Sequence, residues 1–237
     1  RQPLVSLLKN CLDEFPELRI RLSSIHPNEV TADLLDLYRN NSNLRPHLHI
    51  SLQSGSSSVL SRMKRPYRSQ RAWDAVRDVA ATVPHFGIGA DIIVGFPGET
   101  DEEFEETRRM VQDLPFSYLH VFRFSPRPGT PAADMENPVH PETITRRSAI
   151  LRKLAADKQD RFERNLIGST REVVIESEGT DDGFQNSTTD NYATVRVPEG
   201  LAAGTLALVK ITEMIDGKLH GLVTKVIREA QGEKSHG

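Results

Sequence analysis

Apolar positions along the chain recur with two different periods, and the periods alternate. Leu4, Leu7, Leu8, Cys11 and Leu12 are three and four apart, the spacing of a helix with one buried face. Arg19-Ile20-Arg21-Leu22-Ser23-Ser24-Ile25 then alternates with period two, as a half-buried strand does. Val30, Leu34, Leu37 and Tyr38 return to helical spacing, and His47-Leu48-His49-Ile50-Ser51-Leu52 to alternation. Trp73, Val76 and Val79 mark another helix. Ile88 to Val94 is mostly apolar, which predicts a strand buried on both faces. Thr100 and Glu103 have capping-box spacing and open a helix through Phe104, Met110, Val111 and Leu114; Tyr118 to Phe124 is the last alternating run.

Helix and strand thus alternate four times, a pattern that calls for a parallel sheet with helical crossovers. Four strands are few for a closed eight-stranded barrel and predict an open or partial one. Functional groups in such a sheet collect at the C-terminal ends of the strands. Ser125-Pro126-Arg127-Pro128-Gly129-Thr130-Pro131 can be neither helix nor central strand and marks a boundary. Pro141 starts a long helix, with Ile144, Leu151, Ala155, Phe162 and Leu166 on one stripe, and Gly168 ends it. Beyond it, strand-like runs at 173–175, 192–197, 206–211 and 221–226 are punctuated by glycines, which predicts a small β-barrel or sandwich. The expected organisation is an α/β domain at 1–134, a linker helix at 135–167 and an all-β domain at 168–237.

Composition narrows the choices. The chain opens on Arg1 within a helical pattern and without methionine, so we expect a piece of a longer protein. A net charge of −3 gives no global attraction to nucleic acid or to anionic membranes. Cys11 is the single cysteine, which excludes an internal disulfide and a cysteine-built metal site; its place in an apolar helical pattern predicts a buried thiol. No stretch approaches the roughly 20 apolar residues needed to span a bilayer, and nothing at the start resembles a signal peptide. The expectation is a cytoplasmic protein with no membrane partner.

Three segments at strand ends carry candidate chemistry. After the His47 strand come Gln53-Ser54-Gly55-Ser56 and then Arg62-Met63-Lys64-Arg65-Pro66-Tyr67. Gln53 offers an amide, and Arg62 or Arg65 offers a guanidinium that clamps a carboxylate by two parallel bonds; a plain turn with a solvated basic helix end accounts for the same residues. In Asp91-Ile92-Ile93-Val94-Gly95-Phe96-Pro97-Gly98-Glu99-Thr100, Asp91 interrupts an apolar strand and serves either an ion pair or a ligand. In Phe124-Ser125-Pro126-Arg127-Pro128-Gly129-Thr130-Pro131, Phe124 and Ser125 either flank a flat ring or belong to a rigid interdomain turn. His47 and His49 share a strand face, but no third ligand lies near in sequence, so no metal site is expected. His120 is expected to pack. No nucleophile elbow and no P-loop is present.

Together these segments, with Ser23-Ser24-Ile25-His26-Pro27, resemble radical S-adenosylmethionine (SAM) methylthiotransferases over essentially the whole chain. The Ser-Ser-Ile-His-Pro and His-Leu-His-Ile runs are most similar to the branch acting on N6-threonylcarbamoyladenosine 37 of tRNA. Other branches act on isopentenyladenosine 37 of tRNA or on ribosomal protein S12. The resemblance implies the C-terminal portion of a partial (β/α)6 radical SAM barrel, followed by a small all-β TRAM barrel. It implies a transferase that uses SAM and two 4Fe-4S clusters, an electron donor to reduce them, and tRNA as partner. The cluster-binding C-x-x-x-C-x-x-C loop and the N-terminal domain are absent from this sequence, so the chain alone is expected to be inactive and to contribute no catalytic or metal-ligating residue. By the same resemblance, Gln53, Arg65, Asp91, Ile93 and Phe124 would hold SAM. In the TRAM-like part, Phe184, Arg196, Lys210, Lys218 and Lys225 would meet RNA, while Tyr192 is expected in the barrel core. Acids outnumber bases there, so salt-driven phosphate binding should be weak. A non-catalytic RNA-binding protein is the remaining alternative.

Overall fold

A computed structural model describes residues 4–176, 179 and 182–230; the helical start expected at Arg1 lies outside them. The chain folds as two compact units, Arg1–Gln159 and Asp160–Gly237.

The first unit runs α1 (Leu4–Glu14), β1 (Ser24–Ile25), α2 (Ala32–Asn40), β2 (His47–Gln53), α3 (Ser57–Arg62), α4 (Ser69–Ala80), β3 (Gly87–Val94), α5 (Asp101–Asp113), β4 (Tyr118–Arg123) and most of α6 (Pro141–Arg164). All four strands are parallel, in the order β1-β2-β3-β4, as the alternation requires. Thr31 caps α2 and accepts from the Leu34 N–H; Thr100 and Glu103 form the expected capping box at the start of α5.

Each strand has one apolar face. Leu48, Ile50 and Leu52 of β2 and Ile88, Ala90, Ile92 and Val94 of β3 are buried in one core with Leu8 and Leu12 of α1, Leu34 of α2, Val76 of α4, Met110 of α5 and Leu151 of α6. The opposite face is not covered in this way. Asp91 and Ile93 are half-buried, and His120 and Phe122 are exposed. The expectation that Ile88 to Val94 is buried on both faces is therefore corrected to one. Apart from Ile93, these residues facing away from the helices are polar or aromatic, and they are where chemistry has room.

Other local differences have simple causes. The run expected as a strand from Arg19 forms a ladder only at Ser24–Ile25, with an isolated bridge from Ile20 to Leu44. Ile20 exchanges backbone hydrogen bonds with Asn43 and Arg45, residues of the loop before β2, so the ladder cannot propagate from there. The Trp73 helix is preceded by a separate short helix, α3, and Pro66 interrupts helical continuity between them. Cys11 is half-buried, less enclosed than expected.

In the second unit, β5 (Thr170–Ile175), β6 (Phe184–Thr189), β7 (Thr194–Pro198), β8 (Leu206–Ile215) and β9 (Lys218–Arg228) close into a barrel in the order β5-β6-β7-β9-β8. All pairs are antiparallel except β7 with β9. The inward positions Val173, Ile175, Val195, Val197, Ala207, Val209, Ile211 and Leu219 form its core with Leu166. Tyr192 is not part of that core. It sits in the turn between β6 and β7 at φ 73°, with 49% of its surface exposed, because the turn needs a left-handed residue there.

Candidate functional site

At the C-terminal ends of β2, β3 and β4 the chain makes three turns, and each positions candidate residues. Gln53 ends β2 at φ 69°, an unusual backbone for a residue with a Cβ, and strain of this kind persists where the surroundings enforce it. The enforcement comes next. Gly55 lies against α5, where a Cβ would fall 2.6 Å from the Thr107 Cα, and Thr107 Oγ1 accepts from the Gly55 N–H at 3.0 Å. Gln53 itself is buried.

The turn delivers α3, whose last residue, Arg62, is fixed by Glu103. Arg62 donates to both Glu103 carboxylate oxygens, at 2.9 and 2.6 Å, and Ser58 also donates to Glu103. Hydrogen bonding from Arg62, foremost, holds the Glu103 carboxyl down at about 2, against an ordinary 4.5. A carboxyl depressed in the folded state stabilises fully above its unfolded value and loses that contribution as pH falls toward the folded one. Acid titration followed by the fluorescence of the single tryptophan, Trp73, should therefore show part of the stability of this unit lost between about pH 4.5 and 2. Glu103→Gln should lower neutral-pH stability and flatten the profile across that window.

Arg65, three residues beyond Arg62, is less constrained. Its guanidinium lies 3.4 Å from the His26 Nε2 and has no carboxylate partner among the described residues. It lines a cleft of about 230 Å³ with Ile93 of β3, Phe124 beyond β4, Phe96, and Met63 and Met135. The Phe96 and Phe124 rings meet edge to face at 5.3 Å. The Phe124 N–H donates to the Val94 carbonyl at 2.8 Å, which ties the end of β4 to the end of β3. An apolar slot with a guanidinium at its rim that has no carboxylate partner among the described residues suits a ligand that joins a flat ring to a carboxylate.

The turn after β3 depends on a pair that the sequence did not reveal. Glu99 is buried, accepts from the Gly95 N–H at 2.9 Å and is bound by Arg147 of α6 at 2.7 Å. Arg147 also donates to the Glu99 carbonyl and, at 2.8 Å, to Asp101. Burial pushes the Glu99 carboxyl up, against the pull of Gly95 and Arg147.

Of the five residues expected around SAM, Arg65, Ile93 and Phe124 line one cleft. Gln53 and Asp91 are not in its lining. Asp91 points, like Ile93, to the uncovered face of β3, but its Oδ1 is 2.9 Å from His49 Nε2 and 3.3 Å from His120 Nδ1. His120, expected to pack, is instead an exposed partner of Asp91. The sequence spacing of 29 residues concealed this, whereas the β3–β4 register pairs the two directly.

In the barrel unit, Phe184 meets His220 edge to face at 4.9 Å, and the Arg196 guanidinium lies 5.1 Å from the Phe184 ring centroid. Arg196 also donates to both Asp182 carboxylate oxygens at 2.6 Å. Lys210 is exposed and donates to the Gly168 carbonyl. Lys218 and Lys225 are exposed on β9.

Known proteins resemble this chain as follows. Residues 2–111 match the Radical SAM superfamily. The threonylcarbamoyladenosine tRNA methylthiotransferase MtaB of Thermotoga maritima is 43% identical over 174 residues, which are 73% of this chain and 40% of that protein. A tRNA-2-methylthio-N(6)-dimethylallyladenosine synthase of Corynebacterium efficiens is 37% identical over 233 residues, 98% of this chain and 43% of that protein. Among solved structures, coproporphyrinogen III oxidase (HemN) from Escherichia coli, a radical SAM enzyme, has a TM-score of 0.52 at 16% identity, covering 87% of this chain and 50% of that one; the likeness is one of fold. The chain spans about two fifths of the length of the curated relatives it matches.

Proposed function

We propose that the chain is the C-terminal part of a radical SAM enzyme that adds a methylthio group to C2 of N6-threonylcarbamoyladenosine 37 in tRNA, a reading supported by the Radical SAM superfamily match over residues 2–111 and by the tRNA methylthiotransferases among its relatives. One observation carries the reading: Arg65, Ile93 and Phe124, distant in sequence, line a single cleft at the strand ends.

The cleft fits SAM by the chemistry of its walls. Arg65 would hold the methionine carboxylate, since it has no carboxylate of its own among the described residues. Ile93 and Phe124 would flank the adenine, and Phe96 backs the Phe124 ring. Gln53, buried at the end of the neighbouring strand, is a polar reserve by position in the fold. Asp91, whose Oδ1 already lies between two histidines, is outside the lining of this cleft. Bound SAM supplies the radical and methyl-transfer chemistry; the residues of this chain orient it and shield it from water. The chain's lone cysteine cannot hold a cluster, so in this reading both 4Fe-4S clusters are held by residues outside this sequence. An electron donor serves them in the cytoplasm.

In the same reading the second unit is a TRAM barrel that meets tRNA. Lys210, Lys218 and Lys225 offer exposed charge, and Phe184, stacked under Arg196, offers a ring to a base. The relative of higher identity carries the threonylcarbamoyladenosine name, and the Ser23-Ser24-Ile25-His26-Pro27 and His47 to Ile50 runs favour the same branch. The decisive measurement is mass spectrometry of tRNA nucleosides from a strain lacking the parent gene. Loss of 2-methylthio-N6-threonylcarbamoyladenosine is expected. Loss of the isopentenyl derivative instead would move the enzyme to that branch, and unchanged levels of both would overturn the reading.

A further inference from the structure

The uncovered face of the first sheet holds a second constellation, none of whose members lines the cleft. His49 of β2, Asp91 of β3 and His120 of β4 each offer one ligand atom, and the three atoms lie within 4.8 Å of one another. The register explains why. His49 pairs with Gly89, and Asp91 pairs with His120, so neighbouring strands present all three side chains on one face.

Gly89 shapes the support beneath them. A Cβ there would fall 2.1–2.6 Å from Tyr118 ring atoms, so only glycine lets that ring lie flat across β3. The Tyr118 hydroxyl is hydrogen-bonded to His49 Nδ1 and to His47 Nε2, each at 3.0 Å. His49 is thus oriented through one nitrogen while its other nitrogen faces Asp91. Metal-binding histidines are held in this way, the second nitrogen fixed by an outer hydrogen bond.

We propose that His49, Asp91 and His120 form a binding site for a divalent transition-metal ion of the zinc or ferrous class. Two imidazoles and one carboxylate are borderline donors that suit such ions and leave coordination positions open; magnesium and calcium prefer all-oxygen sites. The geometry is close to what is needed. With metal–ligand bonds of about 2.0–2.2 Å, tetrahedral ligand atoms stand roughly 3.3–3.5 Å apart. The observed separations of 2.9 and 3.3 Å from Asp91 need to widen by only a few tenths of an ångström, and the two imidazole nitrogens, within 4.8 Å of one another, would draw together onto the ion. The side chains grade from 8% exposed at His49 through 21% at Asp91 to 56% at His120, so a buried anchor faces an open side through which an ion and its water enter. The metal site does not depend on the SAM cleft, and either stands without the other.

The test uses the full chain, freed of metal with a chelator and titrated with cobalt(II) alone. One equivalent should bind and produce visible d–d absorption bands; zinc should displace it and magnesium should not. His120→Ala, at an exposed position, and Asp91→Asn should each abolish the bands with circular dichroism unchanged. Tyr118→Phe should keep the three ligands but weaken affinity by about tenfold or more. Absence of stoichiometric binding, or binding that His120→Ala leaves unaltered, would overturn the proposal.

Discussion

Arg147→Ala is expected to cost the first unit about 3–5 kcal/mol, the range seen when one partner of a buried ion pair is removed. The Glu99 side chain is 1% exposed and that of Arg147 is 4% exposed, so water cannot replace the lost guanidinium. Glu99 would keep the Gly95 N–H, which alone cannot balance a buried charge, and would take up a proton. Arg147 also lies 5.2 Å from the Phe104 ring centroid and reaches Asp101, so the truncation loosens the start of α5 as well. Urea unfolding read through Trp73, which lies in this unit, isolates the effect from the barrel. Replacing both partners, Arg147→Met with Glu99→Met, should restore most of the loss, since an apolar pair of similar volume leaves no charge stranded. A single substitution that shifts the midpoint no more than a surface change would sink this account.

That pair also marks the limit of what the sequence discloses. Periodicity is a local signal, and it located the longer helices and the four parallel strands, though not the short α3, because each buries one face. It could not say that the helix starting at Pro141, expected as a linker, sends Ile144, Arg147 and Leu151 into the first unit, because partners 48 residues apart leave no trace in spacing. Histidine-rich alternation at His47 and His49 was visible, but the other two members of the His49 cluster, Asp91 and His120, come from other strands and are joined only by register. Positive-φ positions such as Gln53 and Tyr192 were equally hidden: the former is forced by the approach of Gly55 to α5, the latter by a tight turn. Arg65, Ile93 and Phe124 were legible as strand-end residues because parallel sheets put function there. Phe96, Met63 and Met135 were missed as cleft walls, since an apolar side chain in a loop reads like any other.

Arg65→Ala should weaken binding of S-adenosylhomocysteine, a SAM analogue without the sulfonium charge, by about 10–100-fold, the cost of losing charge-assisted hydrogen bonds worth about 1.5–3 kcal/mol. The substitution should spare the fold. Arg65 is half-exposed, and its side chain has only the 3.4 Å approach to His26 to lose. Its neighbour Arg62 cannot take over, because Glu103 already holds it with two hydrogen bonds. Arg65→Lys should recover only part of the affinity, since an ammonium carries the charge but not the paired geometry. Lys64→Ala is the informative comparison. It removes a cation from the same cleft wall, so it separates a general electrostatic pull from a specific clamp. Calorimetry on the full chain gives the three affinities directly. Equal losses at Lys64 and Arg65 would mean that the cleft collects anions without orienting them, and an unaltered Arg65→Ala affinity would remove SAM from this cleft altogether.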